Sequence, residues 1–420
     1  MNHYTLSDFG QKMTTNSGIL RLMDDLGRAM NGSSSLRAMF GGGNPAIIPE
    51  VTAVFEAKLQ EIMQDKSRMS ALLGTYDTPQ GNGEFIEAVA GYFSDYFQQT
   101  MTPENIAITP GSQTGFFMLF NMLAGTSEGV KRKILFPLVP EYIGYSDQLA
   151  EHEMISSARP LITKIGQHEF KYSIDFEQLD IDDHTAAICV SRPTNPSGNV
   201  VSKDEVKKLQ SLARGRGIPL IIDNAYGDPF PGVIDDEGTP DFDSNTVFSF
   251  SLSKVGLPGS RTGIFIGPEE LMTALSSVNA IVTLSSPNFG QYLATDLLKK
   301  REIDDLCQAH IQPFYEERRL KAKECIEKYF DRGLPWRFHT YQGSYFFWLW
   351  LEGTKIRSEE LYHKLKDRGV LTVPGDYFFA GQDASKWLHI HECLRLNFAR
   401  PDEELEAGFE AIGDMMREIY

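Results

Sequence analysis

Between about residue 104 and residue 267, short apolar runs alternate with polar, periodic stretches. Ile106–Thr109, Lys133–Phe136, Ala186–Val190, Ile218–Ile222, Val247–Phe250 and Ile264–Ile266 read as strands. Gly111-Ser112-Gln113 opens a helix through FFMLFNMLAG, and Ser202 with Glu205 makes a capping-box start for KDEVKKLQSLARGRG. Strands separated by helices in this rhythm predict a mainly parallel sheet covered on both faces. The densest apolar run, YFFWLWL at 345–351, has seven residues, whereas a bilayer span needs about 20. It reads as a buried strand.

After about residue 268 the pattern changes. A helical stretch runs to about 300, and a highly charged one covers about 312–330. The aromatic run and a helix over Glu403–Glu418 complete a separate α+β unit. The first 40 residues do not join the sheet pattern. They predict an arm on the smaller unit, with Ile19 and Leu20 serving either as a lid or as packing. The expected division is an arm at 1–45, a large domain at 46–300 and a small domain at 301–420.

A chain of 420 residues is long for a single core, which agrees with two domains. The net charge of −17 argues against nucleic acid and anionic membranes as partners. The opening MNHYTLSDFGQK lacks a basic region followed by an apolar run, so no signal peptide is expected. Cys189, Cys307, Cys325 and Cys393 are scattered, which predicts a reduced, cytoplasmic setting. The histidines form no metal pattern, and His389 and His391 read as a surface turn.

The polar motifs follow directly on the strands, where ligands of open α/β sheets bind. SLSK at 251–254 and GLPGSR at 256–261 place Lys254 among small hydroxylated residues, seven before Arg261. A lysine can hold an aldehyde as a Schiff base, and hydroxyls, turn amides and an arginine can hold a phosphate. Together they suggest pyridoxal 5′-phosphate. Ser112 and Gln113 begin a helix and make either an ordinary turn or an anion site. Tyr142 is either core or a ring that stacks on the cofactor. Asn195, before a proline, is a turn residue or a donor to a ring oxygen. Asp223 ends a buried run, where a carboxylate needs a cationic partner such as a protonated pyridine nitrogen. Tyr226 can share the ring oxygen. Arg395, in the alternating CLRLNFA, is a surface-strand arginine or a bidentate carboxylate clamp.

GGGNPA (41–46), YDTPQG (76–81), PEYIGY (140–145), SRPTNPSGNV (191–200), IDNAYGDPFPG (222–232) and SLSKVGLPGSRTGI (251–264) occur in one direction along the chain. In them the sequence resembles the class I/II, fold-type I PLP-dependent aminotransferases from about residue 40 to 400. The resemblance implies an α/β fold: a large domain with a mainly parallel seven-stranded sheet, a smaller α+β domain and an N-terminal arm. It implies Lys254 for the internal aldimine, Asp223 for the pyridine nitrogen, and Asn195 and Tyr226 for the ring oxygen. Ser112, Gln113, Ser251 and Arg261 match phosphate positions, and Tyr142 the stacking ring. Ser112-Gln113 replaces the commoner small or aliphatic pair there. Gly43 and Asn44 match the loop near the substrate carboxylate, and Arg395 its clamp. Tyr76 matches a tyrosine that reaches the phosphate of a partner subunit, which implies a homodimer with shared sites.

The implied activity is transamination between a neutral aliphatic amino acid, valine or alanine, and a 2-oxo acid, pyruvate or 3-methyl-2-oxobutanoate. A neutral side chain is favoured because the sequence shows no clear second arginine for a dicarboxylate. The competing readings are a PLP-dependent C–S β-lyase and an aminotransferase of different neutral or aromatic specificity. A transcription regulator built on the same fold would carry a basic DNA-binding module, and this chain is acidic with only about 40 residues ahead of the match.

Overall fold

The structure is a computed structural model that describes residues 4–14, 18, 20, 23–24, 27, 36–235 and 238–420. Ile19 lies outside them. The six predicted strands form one sheet, in the order Ile106–Pro110, Thr262–Ile266, Thr246–Ser251, Leu220–Asp223, Thr185–Ser191 and Val130–Phe136, and two strands not predicted, Gly125–Ser127 and Ile155–Ser157, also pair with Val130–Phe136. Among the described residues the sheet therefore has eight strands rather than seven. The extra pairings come from short segments in which a period of two cannot register.

Four central strands, Thr246–Ser251, Leu220–Asp223, Thr185–Ser191 and Val130–Phe136, run parallel. Thr262–Ile266 is antiparallel to both of its neighbours, so Ile106–Pro110 points the same way as the central strands. Every residue of Thr185–Ser191 is buried, as expected of a strand covered on both faces. The helix Lys203–Arg216 packs through Val206, Leu209 and Ala213, and Ser202 and Glu205 form the predicted capping box. Because the strands run together, Pro110, Phe136, Ser191, Asp223 and Ser251 all end at one edge. The five polar motifs leave the sheet from that edge.

A second sheet has the order Val373–Pro374, Cys393–Asn397, Phe346–Leu351, Trp336–His339, Glu169–Ser173 and Leu161–Ile165. It takes a hairpin, Leu161–Ser173, from the middle of the first sheet's sequence, through a parallel pairing of Phe338 with Glu169. All of Phe346–Leu351 and Cys393–Asn397 is buried. The helix Asp402–Ile419 buries Leu405, Phe409, Ile412 and Met416. Near the N-terminus, Ser7 caps the short helix Asp8–Met13, and Ala38–Met39 pairs with Val370–Leu371 beside the second sheet.

Two expectations are corrected. The helical stretch to about 300 is two helices, Glu269–Thr283 and Phe289–Lys299. Leu284 between them has φ 68°, a left-handed backbone that ends the first helix. His389 and His391 are buried, at 4% and 7% exposure, not on a surface turn. His389 meets the Tyr172 hydroxyl at 2.5 Å, and burial pushes its imidazole down to about 3. His391 is held between Asp376 and the Ala384 carbonyl. The histidines alternate with Leu388 and Ile390 in a tight turn, and neighbouring aromatic rings give His389 a cover that the local sequence does not show.

Candidate active site

A cavity of about 1240 Å³ opens at the carboxyl edge of the first sheet. Gly43, Asn44, Ser112, Gln113, Tyr142, Asn195, Asp223, Tyr226, Ser251, Lys254, Arg261 and Arg395 all line it. Residues separated by more than 300 positions in the chain thus share one enclosure. Tyr76 does not line it. That side chain is 80% exposed on the outer surface of its own chain.

Lys254 sits in a short 3₁₀ turn, Leu252–Val255, that follows the strand ending at Ser251. Ser251 fixes the turn by accepting the Ser253 amide at 3.0 Å. The Lys254 ammonium donates to the Gly43 carbonyl at 3.0 Å and lies 5.5 Å from the Tyr226 ring centroid. Burial, reinforced by the positive charge of Arg395, lowers its pKa to about 8, with Asp223 opposing the shift.

Asp223 ends its strand beside Ser191 and Ser249. Its Oδ2 accepts the Tyr145 hydroxyl at 2.5 Å, and its Oδ1 is buried with no partner. Burial raises this carboxyl to about 6, and the Tyr145 hydrogen bond and Lys254 hold it below where burial alone would take it. A buried carboxylate oxygen without a partner calls for a cationic donor. Tyr145 is itself fully buried and wedged among Phe116, Phe120 and Phe136. Sequence reasoning named Tyr142 and passed over Tyr145. The signal was the Tyr-x-x-Tyr spacing within PEYIGY, which puts both rings on one turn.

At the other wall, Ser112 and Gln113 open the helix Ser112–Leu123, whose first-turn amides lack intrahelical acceptors. The Ser112 hydroxyl donates to the Phe250 carbonyl at 3.1 Å, so it is the amides that remain for an anion. Gly111, at φ 79°, brings this turn against Arg261, and a Cβ there would stand 2.2 Å from Arg261 Nη2. Arg261 itself has φ 50°, a left-handed conformation uncommon outside glycine. Ser251 stands alongside. These groups together form a cradle that presents the donors a dianionic phosphate would need.

Arg395 is 1% exposed on the strand Cys393–Asn397, which excludes the surface-strand alternative. Phe346 and Phe378 flank its guanidinium at 4.4 and 5.4 Å. Its Nη1 donates to Asn195 Oδ1 and its Nη2 to the Gly41 carbonyl, both at 2.8 Å, while Nε has no partner. Asn397, two residues along on the same face, donates to the Gly42 carbonyl at 2.6 Å. Tyr345 donates to the Gly43 carbonyl at 2.9 Å, the same oxygen that Lys254 uses. The three successive glycine carbonyls are therefore each anchored by a buried side chain of the second sheet or by Lys254. Neither Tyr345 nor Asn397 was anticipated. Tyr345 immediately precedes the strand Phe346–Leu351 and Asn397 ends the strand Cys393–Asn397, and both runs read from sequence only as core.

Below Tyr142, Glu141 is 1% exposed and accepts the Ser191 amide at 2.8 Å and the Ser191 hydroxyl at 2.5 Å. Burial raises its carboxyl to about 8, with the charge of Asp223 adding to the shift.

The residues fit PLP on geometry alone. The partnerless Asp223 oxygen suits a pyridinium, the Gly111–Arg261 cradle suits the phosphate, and Lys254 suits the aldehyde. Tyr142 lines the same cavity.

The sequence profile described as Aminotransferase class I and II matches residues 48–412. The valine–pyruvate aminotransferase of Escherichia coli is 43% identical over 417 residues, 99% of each chain. A crystal structure of a putative amino-acid aminotransferase from Psychrobacter arcticum superposes with TM-score 0.95 at 39% identity, covering 99% of both chains. That of valine-pyruvate aminotransferase from Salmonella typhimurium gives TM-score 0.86 at 40% identity, covering 96% of this chain and 99% of that one.

Proposed function

We propose, from the premise that this chain belongs to the class I and II aminotransferases and is PLP-dependent, that it transfers the amino group of valine to pyruvate, giving 3-methyl-2-oxobutanoate and alanine. The observation that carries the reading is the meeting of Lys254, the partnerless Asp223 oxygen and the buried Arg395 in one cavity. The relatives named for valine and pyruvate support the choice of substrates.

PLP, when bound, supplies the electron sink that accepts the pair left when the α-proton departs. The chain's own residues do the rest. Asp223 keeps the pyridine nitrogen protonated, and Tyr145 holds the carboxylate in place. Arg395 keeps an unpartnered Nε for the α-carboxylate, and its bond to Asn195 ties substrate orientation to the ring-oxygen donor. Tyr226 assists Asn195 there. Lys254 carries the proton from the α-carbon to the cofactor carbon. With its pKa drawn down to about 8, it spends enough time neutral to act as a base near physiological pH. The Gly43 carbonyl gives the freed amine a resting acceptor. Ser112, Gln113, Ser251 and Arg261 hold the phosphate, and Gly43 with Asn44 closes over the substrate.

The working unit in this reading is a homodimer in the cytoplasm. Leu73, Tyr76, Ile281 and Leu284 are large apolar side chains at 74%, 80%, 86% and 56% exposure. The Asn279 side chain donates to the Pro79 carbonyl at 2.7 Å, which draws the Tyr76 turn and the end of the Glu269–Thr283 helix together. A second copy would cover this face and bring Tyr76 to the other chain's phosphate cradle. Four free, buried cysteines support a reducing compartment.

The deciding experiment incubates the cofactor-loaded enzyme with valine and pyruvate and follows both products. Alanine formed in step with 3-methyl-2-oxobutanoate, with ping-pong kinetics and none from Lys254→Ala, supports the assignment. Ammonia release without need of a 2-oxo acid would replace it with a lyase. Sedimentation at micromolar protein tests the dimer.

A further inference from the structure

Glu141 is a buried acid with no part in the chemistry of Lys254, Asp223 and Arg395, and its carboxyl stands where the first sheet loses a strand. The strand Val130–Phe136 reaches Ile188 with Leu135 and stops at Phe136. Ser191 lies three residues beyond Ile188, at the end of Thr185–Ser191. On one edge it is paired with Asp223, whose carbonyl accepts the Arg192 amide. The Ser191 amide faces the other edge, where Glu141 takes the place of the missing strand. Oε1 of Glu141 accepts that amide at 2.8 Å. Oε2 accepts the Ser191 hydroxyl at 2.5 Å and the Tyr142 amide at 3.2 Å. Buried main-chain N–H groups need acceptors, and those outside a ladder find them in side chains. One carboxyl thus joins two separate segments of the chain.

Both segments carry groups that face the cavity. The Ser191 carbonyl accepts the Thr194 hydroxyl at 2.9 Å, which holds the turn leading to Asn195. Tyr142 meets the ring of Tyr145 edge-on, with centroids 5.2 Å apart. Gly144 makes room for the Tyr142 ring, since a Cβ there would stand 2.3 Å from its Cε1. A third link runs through the main chain. The Glu141 amide donates to the carbonyl of Phe378 at 2.8 Å, and the Phe378 ring flanks Arg395. That bond does not depend on the side chain at 141.

We propose that Glu141 is a positioning residue for the cofactor: its carboxyl fixes the Tyr142 ring on the strand end that carries Asp223. The proposal rests on PLP dependence and not on valine and pyruvate as substrates. Burial holds the carboxyl up at about 8, so near neutral pH Glu141→Gln changes hydrogen bonds and not charge. In either orientation of the glutamine amide, its NH₂ faces one of the two main-chain N–H groups, and that bond is lost.

The test titrates pyridoxal 5′-phosphate into the cofactor-free protein near neutral pH. Glu141→Gln should weaken binding about threefold to tenfold, and Glu141→Ala, which loses both bonds, by more than about tenfold. Glu141→Gln carries the test alone should the alanine variant not fold. The visible circular dichroism of the saturated cofactor, which reads how the ring is held, should fall in both variants. 3-Methylbutanoate, the valine skeleton without its amino group, should bind the loaded variants within about threefold of wild type, because the Phe378 link beside Arg395 is intact. Tyr142→Ala keeps the amide and removes the ring, so in that background Glu141→Gln should cost less than about twofold. Wild-type affinity and dichroism in Glu141→Gln, an equal loss of 3-methylbutanoate binding, or a full loss that persists without the Tyr142 ring overturns the proposal. Failure of valine and pyruvate to react would leave the cofactor titration measurable, so the two readings fail separately.

Discussion

Reductive methylation of the cofactor-free protein reads the Lys254 amine directly, by mass spectrometry, against the exposed lysines as internal standards. The perturbation is pH, from about 6 to about 10. With a pKa drawn from 10.5 to about 8, the amine is about half neutral at pH 8. An ordinary lysine is about 0.3% neutral there, so the labelling advantage is about a hundredfold. The midpoint should respond to its neighbours with opposite signs. Arg395→Leu removes a like charge and should move it up, whereas Asp223→Asn removes the opposite charge and should move it down. A midpoint close to 10.5, or one that Arg395→Leu lowers, would refute the claim that burial and Arg395 tune the base.

Asp223→Ala should cut turnover at least about a hundredfold by leaving the pyridinium unpaired, checked by steady-state kinetics on the purified variant. Tyr145→Phe removes the hydrogen bond that favours the Asp223 carboxylate, so that carboxyl should titrate above about 6. The pH dependence of the bound cofactor's spectrum would show it. Gly111→Ala should weaken cofactor binding about tenfold to a hundredfold, because Arg261 must leave the place of the new methyl, and fluorescence titration measures this. Glu141 has its folded-state pKa raised from 4.5 to about 8, so the folded state holds a proton that the unfolded chain has lost. The stability of the wild type relative to Glu141→Gln should therefore fall as pH climbs from about 4.5 to about 8, and denaturant titrations of both would reveal a flat difference if the reasoning is wrong.

The first sheet was legible because each of its long strands is a short apolar run with a polar motif at its end, and strand ends are where such sheets bind ligands. Lys254, Asp223, Asn195 and Arg261 could be read from that placement. Tyr345 and Asn397 could not, because their partners lie 302 and 355 positions away in the chain. An aromatic strand such as YFFWLWL looks uniformly like core, and nothing local marks which ring carries a hydroxyl to the site. The same blindness hid the burial of His389, whose cover comes from Trp350 of the second sheet and from Phe379.

The hairpin Leu161–Ser173 has a consequence for how the protein is made. It leaves the ribosome with the first sheet, yet its partner, Trp336–His339, follows some 165 residues later. At about 5–20 residues per second that is a wait of about 10–30 s with an unpaired edge. Its outer strand, Leu161–Ile165, carries Lys164, a charge of the kind that discourages edge-to-edge association. The order of synthesis thus delays closure of the second sheet, and with it the delivery of Arg395 to the cavity, until nearly the whole chain has emerged.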